Sequence, residues 1–403
     1  MTLKNRFTPY RLLLVVCVIT VGVYGCRAGD TADGLAHTGQ VHILFAGDTA
    51  FGESYQRVIA QQAGEDILKT RGYDHGFAGL LPLLKRADTT VANLETPVTS
   101  LPASPLAGRK SYLHWSDIHA APAALAKHNI KHLSLANNHT MDYGLQGLKQ
   151  TLDVLQQNGM ETFGAGASAA DGARPLALSY KINGHPLRML VAAGFEYRPV
   201  YDRAFRFYAG KDKGGVNAWS IPRAAAQIRA LRGENPGAFI IAFPHWGKNY
   251  QWKTTGQTAL AHALIDSGAD LVLGHGAHRL QEIELYHDRW IIYSLGNFVF
   301  NAPGRYAEHD GPPFSLAALM AVTEEKGKFD CALSLYPVMS DNRITGYQPR
   351  FATKKEFDAL YQSILDQSSD PGALKTRIAT GQDDVGPFIR LNVTPEPFLA
   401  KNV

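Results

Sequence analysis

Three cysteines in 403 residues leave no room for a disulfide framework. Cys17 lies inside an apolar run and Cys26 directly follows it, so Cys331 is the one thiol left for the folded part. Stability must come from a hydrophobic core, and thiolate metal chemistry is excluded for want of ligands. Excess charge of one sign is also missing. The 40 Lys and Arg and 36 Asp and Glu give a formal net charge of +4, with the basic residues scattered, which excludes a nucleic-acid footprint. Apart from its beginning, the composition is that of an ordinary globular protein, long enough for two domains or for one large domain with an extension. Against these absences stand 15 His, several beside Gly, Asn or Asp rather than on apolar faces.

The beginning reads as an export signal. Lys4, Arg6 and Arg11 precede an apolar run over 12–24 that is short for a membrane span and ends in Gly25-Cys26. Val23-Tyr24-Gly25-Cys26 is similar to a bacterial lipoprotein cleavage box, which would make residues 1–26 a lipoprotein signal with Cys26 as the lipid anchor. Tyr24 is an unusual occupant of its position, so an uncleaved N-terminal anchor stays open. Residues 27–40, rich in Gly, Ala, Thr and Asp, read as a flexible tether.

After the tether one pattern recurs: a short strand delivers a metal-ligating or hydrogen-bonding side chain at its carboxyl end, where open α/β sheets place their ligands. Residues 41–48 deliver Asp48, 89–95 deliver Asn93 and Glu95, and 130–135 lead into Asn137-Asn138-His139 with Asp142 and Gly144. Residues 238–245 deliver His245 ahead of Trp246-Gly247, 270–274 deliver His275 and then His278, and 290–294 deliver Ser294 and Asn297. Any one of these can be ordinary turn chemistry or a helix N-cap. Three His and two acids at strand ends, together with Asn138, point to a shared metal site. Helical spacing is expected over 77–84, 118–128, 145–155 (apolar at 145, 148, 152 and 155), 257–267 and 354–366, with an antiparallel pair over 316–322 and 331–338. The Gly/Ala-rich 164–173 reads as a loop. The basic, aromatic 197–215 reads as a solvated edge or as a binding surface for an anion, and the long loop ending in Arg109-Lys110 as a lid or a mobile connection.

Imidazole, carboxylate and an Asn carbonyl make the mixed nitrogen and oxygen set that holds Zn, Mn or Fe, with donors enough for one or two divalent ions. Such ions polarise phosphoryl or acyl oxygens and lower the pKa of a bound water. A His beside them, His139 for instance, protonates a leaving group or holds an oxyanion. Hydrolysis or transfer at an ester, phosphoester or amide is the expected chemistry.

Six ordered blocks carry a resemblance: Gly47-Asp48, Asn93-Leu94-Glu95, Asn137-Asn138-His139 with Asp142 and Gly144, His245-Trp246-Gly247, Gly274-His275 with His278, and Ser294-Leu-Gly-Asn297-Phe298. From about 41 to about 338 the chain resembles the bacterial capsule-synthesis family CapA, proteins associated with poly-γ-glutamate capsules and similar in fold to calcineurin-like metallophosphoesterases. The resemblance implies a four-layer αββα sandwich over 41–345, followed by a helical extension and tail over 346–403. It implies metal ligands at Asp48, Glu95, Asn138, His245, His275 and His278, a catalytic pair at His139 and Asp142, and supporting roles for Asn93, Asn137, Trp246, Ser294 and Asn297. The chain departs from the pattern at Ala50, where the phosphoesterase scaffold has a His. It departs again at Gly276 and Ala277, which stand in a Gly-His-His-Pro-His motif, and at Asn249, where the family commonly has Glu.

Two functional expectations follow. In one, an exported, envelope-located and membrane-anchored hydrolase or transferase acts on an anionic surface polymer or its precursor. In the other, a non-catalytic accessory protein binds that polymer during assembly or export, with 197–215 as the contact. Either would work beside membrane-embedded capsule synthesis subunits, because a tethered domain without a spanning bundle cannot move polymer across a bilayer.

Overall fold

The computed structural model describes residues 35–309 and 311–395. The export signal, Cys17, Cys26 and most of the expected tether lie outside them. The tether's end is not loose chain: Leu35–His37 forms a strand parallel to Leu176–Ile182, and the next strand begins at Gln40.

The fold is mixed α/β, and among the described residues two large sheets of ten and eight strands dominate it. In the ten-stranded sheet Gln40–Ala50, Thr89–Leu94, Ile130–Ser134 and Glu161–Phe163 run parallel in that order out to one edge. The antiparallel pair Phe314–Glu325 and Lys328–Met339 extends it beside Gln40–Ala50. The eight-stranded sheet is parallel through His185–Glu196, Phe239–His245, Leu271–Leu273 and Arg289–Ile292, with antiparallel neighbours toward each edge.

Strand side chains alternate between faces, and the alternation sorts the core. Val41, Ile43 and Phe45 from one sheet join Leu187, Met189, Val191, Phe239, Ile241 and Phe243 from the other in a single buried cluster. The opposite parity, Leu44, Ala46, Ala92 and Leu94, meets the helices Ala120–Lys127 and Gly144–Gln157. In the second sheet Leu190, Ala192, Ile240 and Ala242 meet Ile221–Glu234 and Thr255–Asp266. Thr255–Asp266 opens with a capping box between Thr254 and Gln257, which satisfies two N-terminal amides reciprocally.

Some local expectations shift. The helix expected over 77–84 is a 3-10 turn, His75–Leu80, running into Leu81–Leu84. In Gly144–Gln157 the buried stripe is Gly147, Leu148, Thr151 and Leu155, whereas Leu145 stands 51% exposed. The expected loop at 164–173 contains the short strand Ala165–Gly166 and the helix Ala169–Ala173. Past residue 345 the chain is not only helical. Alongside Lys354–Asp366 and Pro371–Arg377, the strands Ile378–Gln382 and Pro387–Asn392 complete the ten-stranded sheet, the latter paired with Lys328–Met339.

Candidate metal centre

The side chains of interest lie at the carboxyl ends of the parallel strands of both sheets, and the same alternation aims them. In Phe239–His245 the parity that buries Phe239, Ile241 and Phe243 between the sheets continues to His245; in the next strand Leu271 and Leu273 lead to His275. Val91 leads likewise to Asn93 and Glu95. Gln40–Ala50 would aim Asp48 the other way, but its register against Thr89–Leu94 slips by one residue between Ala46 and Asp48. That bulge at Gly47 returns Asp48 to the inter-sheet side. Only glycine fits there, because a Cβ on Gly47 would lie 1.9 Å from the Gly296 carbonyl oxygen.

Asp48 is the hub. Its Oδ1 lies 3.3 Å from His275 Nδ1 and 3.8 Å from His245 Nδ1, and its Oδ2 lies 3.5 Å from His278 Nδ1. Asn93 Nδ2 donates to Oδ1 at 2.9 Å, and the Gly276 amide donates to Oδ2 at 3.0 Å. On the far side Glu95 Oε1 lies 3.8 Å from His278 Nε2 and 3.9 Å from both His245 Nε2 and His139 Nε2. Two overlapping donor sets result, Asp48 with His245 and His275, and Asp48 with Glu95 and His278; within each the ligand atoms lie within 4.8 Å of one another. An ion bonded at about 2.1 Å holds neighbouring donors about 3.4 Å apart, close to the spacing around Asp48.

These donors fit a divalent cation for a second reason. Both oxygens of Glu95, His275 Nε2 and Asn138 Oδ1 are buried without a hydrogen-bond partner among the described residues. A buried carboxylate in that state costs several kcal/mol unless a cation meets it. Burial and the charge of Asp48 push the Glu95 carboxyl far above its ordinary range. Burial would raise Asp48 too, but its hydrogen bond to His275 and the neighbouring imidazoles hold it below the usual carboxylate range. Burial lowers His245, His278 and His139, which leaves uncharged imidazoles with lone pairs to offer.

Beside the donors sits a second polar group. His139 Nδ1 lies 2.7 Å from Asp142 Oδ2, and Lys110 Nζ lies 2.8 Å from Asp142 Oδ1, all three side chains being nearly solvent-free. The His114 amide donates to Asp142 Oδ2 at 2.7 Å. Burial pushes Asp142 up to about 6 against the pull of Lys110 and His114. With Asp142 ionised, Nδ1 of His139 carries the ring proton and Nε2 is left toward Glu95. The His114 ring stacks on that of His139 at 3.6 Å and 3° and is held by Tyr55 and the Glu95 carbonyl.

A cavity of about 580 Å³ opens over this arrangement, lined among others by His139, Asn138, His278 and Tyr250 and by Lys110, Arg198 and Arg305. His278 and Tyr250 both hold φ near +60°, a left-handed strain that persists where surroundings impose it.

The structure therefore gathers Asp48, Glu95, Asn138, His139, Asp142, His245, His275 and His278 in one place. Asn93 and Asn137 brace it, with Asn137 Nδ2 donating to Asn93 Oδ1 and Asn137 Oδ1 accepting from the His139 amide. Asn297 Oδ1 meets His278 Nδ1 at 2.9 Å, and Ser294 Oγ accepts from the Gly296 amide in the turn whose carbonyl receives the Asp48 amide. Trp246 does not face the donors. It has the opposite parity to His245, packs with the outer helices and donates to the Tyr293 carbonyl. Ala50 packs with Phe300 and Ala302, and at Gly276, where the resemblance expects an imidazole, a main-chain amide serves Asp48 instead. The 197–215 segment is split: Phe207 and Tyr208 are core, while Arg198 and Tyr201 line the cavity. Sequence reasoning missed His114 and gave Lys110 no role. Neither follows a strand, so the high His count was the only hint.

The family model described as "Bacterial capsule synthesis protein PGA_cap" matches residues 42–302. The chain is 30% identical over 258 residues to the PGA biosynthesis protein CapA of Bacillus subtilis, covering 64% of this chain and 62% of that one. It is 30% identical over 246 residues to the capsule biosynthesis protein CapA of Bacillus anthracis, covering 59% and 56%. It is 32% identical over 227 residues to a protein of Mycobacterium tuberculosis named as a probable polyglutamine synthesis accessory protein, covering 54% and 57%. The chain spans about three-fifths of the length of these curated relatives.

Proposed function

Because the chain belongs to the bacterial capsule synthesis protein family PGA_cap, we propose that it works in the biosynthesis of a capsule or poly-glutamate surface polymer, as a metal-dependent hydrolase or transferase acting at a phosphoester or amide. One observation carries the reading: a buried, unpartnered Glu95 shares a pocket with Asp48 and three imidazoles, directly beside the His139–Asp142 pair. Asp48, Glu95, Asn138, His245, His275 and His278 would hold one or two ions of Mn, Fe or Zn. A bound ion supplies Lewis acidity at the substrate oxygen. The chain's own part is to orient and to move a proton. Asp142 fixes the His139 tautomer, and the neutral Nε2 takes a proton from the attacking group and returns it to the leaving group. The order of layers, helices, sheet, sheet, helices, agrees with a metallophosphoesterase-type sandwich.

Export and tethering through Cys26 belong to the same reading. Membrane-embedded synthesis subunits would be its partners. An acyl adduct on the mature N-terminus, lost in Cys26→Ser, tests the tether by mass spectrometry.

Elemental analysis of wild type and His275→Ala tests the centre. One or two equivalents of metal, lost in the variant, support it, and hydrolysis of phosphoester or amide probes that His139→Ala abolishes completes it. A wild type that retains no metal after incubation with each ion overturns it. The alternative reading, a non-catalytic accessory protein that binds the anionic polymer, is favoured by the cations of the cavity and would then lead.

A further inference from the structure

The mouth of the cavity has a surface chemistry unlike the rest of the protein. Large hydrophobic side chains exposed among the described residues are few, and three of them line this one opening: Val58 at 41%, Tyr112 at 61% and Val200 at 50%. They come from three separate stretches of chain, so local sequence does not explain their meeting. Ile344, 58% exposed, follows the cavity-lining Arg343. Tyr112 also holds φ at +56°, an uncommon conformation for a bulky residue, and stands 61% exposed.

The same rim is cationic. Arg109, Arg305 and Arg343 line it, facing Glu308 as the one acid of the lining. Among the described residues the guanidinium groups of Arg305 and Arg343 enter no ion pair; Arg305 lies over the Tyr250 ring at 5.5 Å. Exposed apolar side chains and arginines on one lining match the interface of an anionic bilayer, where acyl chains take the former and headgroup phosphates the latter. Tyrosine is the residue type that settles at that boundary.

We propose that this rim is a docking face for an anionic lipid surface, so that the cavity opens onto the membrane and receives its substrate from there. The inference rests on the rim and stands whether or not the centre below is catalytic. A soluble polyanion would be met by the arginines but gives no reason for the exposed Val58, Tyr112 and Val200.

Hydrogen exchange of the full chain reconstituted with phosphatidylglycerol vesicles, compared with phosphatidylcholine vesicles, tests it. The N-terminal anchor is present in both, so the readout is orientation rather than attachment. Docking slows exchange at 56–62, 109–115, 198–205 and 341–345 in the anionic vesicles alone. Val58→Ser with Tyr112→Ser and Val200→Ser removes that protection while the protein still floats with the vesicles, and Arg305→Glu with Arg343→Glu weakens it by about thirtyfold or more. Equal exchange in both vesicle types overturns the proposal. Protection by soluble polyglutamate without lipid, and none by vesicles, overturns it in favour of a polymer groove.

Discussion

Glu53→Gln should make the protein more stable at pH 8 and leave it unchanged near pH 4.5. Glu53 is partly buried as a residue, but its carboxylate is enclosed: Tyr73 OH and the Asp117 amide donate to Oε1 at 3.0 and 2.9 Å, and Ser116 Oγ donates to Oε2 at 3.0 Å. Burial pushes the group from 4.5 up to about 7 in spite of those three bonds. The folded value lies above the unfolded one, so between these pH values the native protein keeps a proton that the unfolded chain has released. The stability linked to that proton is full below about 4.5 and is lost as pH rises through about 7. The difference of about 2.5 in pKa corresponds to about 3 kcal/mol, or about 2 once partial exposure is allowed for. Glutamine keeps the geometry. Its Oε1 takes Tyr73 and Asp117, and its Nε2 donates to Ser116 Oγ, which turns its own proton toward Thr96 Oγ1 at 3.3 Å. Urea unfolding of both proteins, followed by tryptophan fluorescence at pH 4.5 and pH 8, isolates the term because every other titrating group is common to the two. A gap between the curves that does not widen by about 2 kcal/mol with pH refutes the reasoning. The site has a stake in the result, since Ser116 and Asp117 end the loop that carries Lys110 and His114.

Lys110→Met should cost about 3 kcal/mol by stranding the buried Asp142, and adding Asp142→Asn should recover much of it; strictly additive losses in the double-mutant cycle would contradict the pairing. Glu95→Gln should stabilise the metal-free protein by about 1–3 kcal/mol at neutral pH, since folding otherwise forces this buried, unpartnered carboxyl to take up a proton, and should erase any stabilisation by added Mn or Zn. A melting temperature that still rises with metal in that variant would remove Glu95 from the donor set. Gly47→Ala should cost more than about 3 kcal/mol and lower metal content together with stability, because its Cβ cannot coexist with the Gly296 carbonyl; a folded variant with full metal content would show that the bulge does not aim Asp48.

How much could be read in advance depended on whether a group sat on a periodic element. His245 and His275 follow continuous apolar runs that read as strands, so their strand-end positions were legible, while the face they take came from the parity of the packed sheets. The same parity counted one step further places Trp246 on the opposite face, and the departure came from treating neighbours in sequence as neighbours in space. Asp48 was legible as a strand-end acid but not in its direction, because a one-residue bulge reverses parity and leaves no mark except a glycine. His114 and Lys110 were beyond reach, since a loop has no period and their positions are set by contacts with Asp142 and His139, about thirty residues away.

The alternating strands, the polar groups at their ends and the scarcity of cysteine were thus settled by local rules of backbone geometry and ligand chemistry, which act over a few residues. Which of those groups meet, how far apart their donors lie and whether Glu95 finds a partner were decided only when two sheets packed face to face, because the residues concerned are as much as 230 positions apart and share nothing but the core between them.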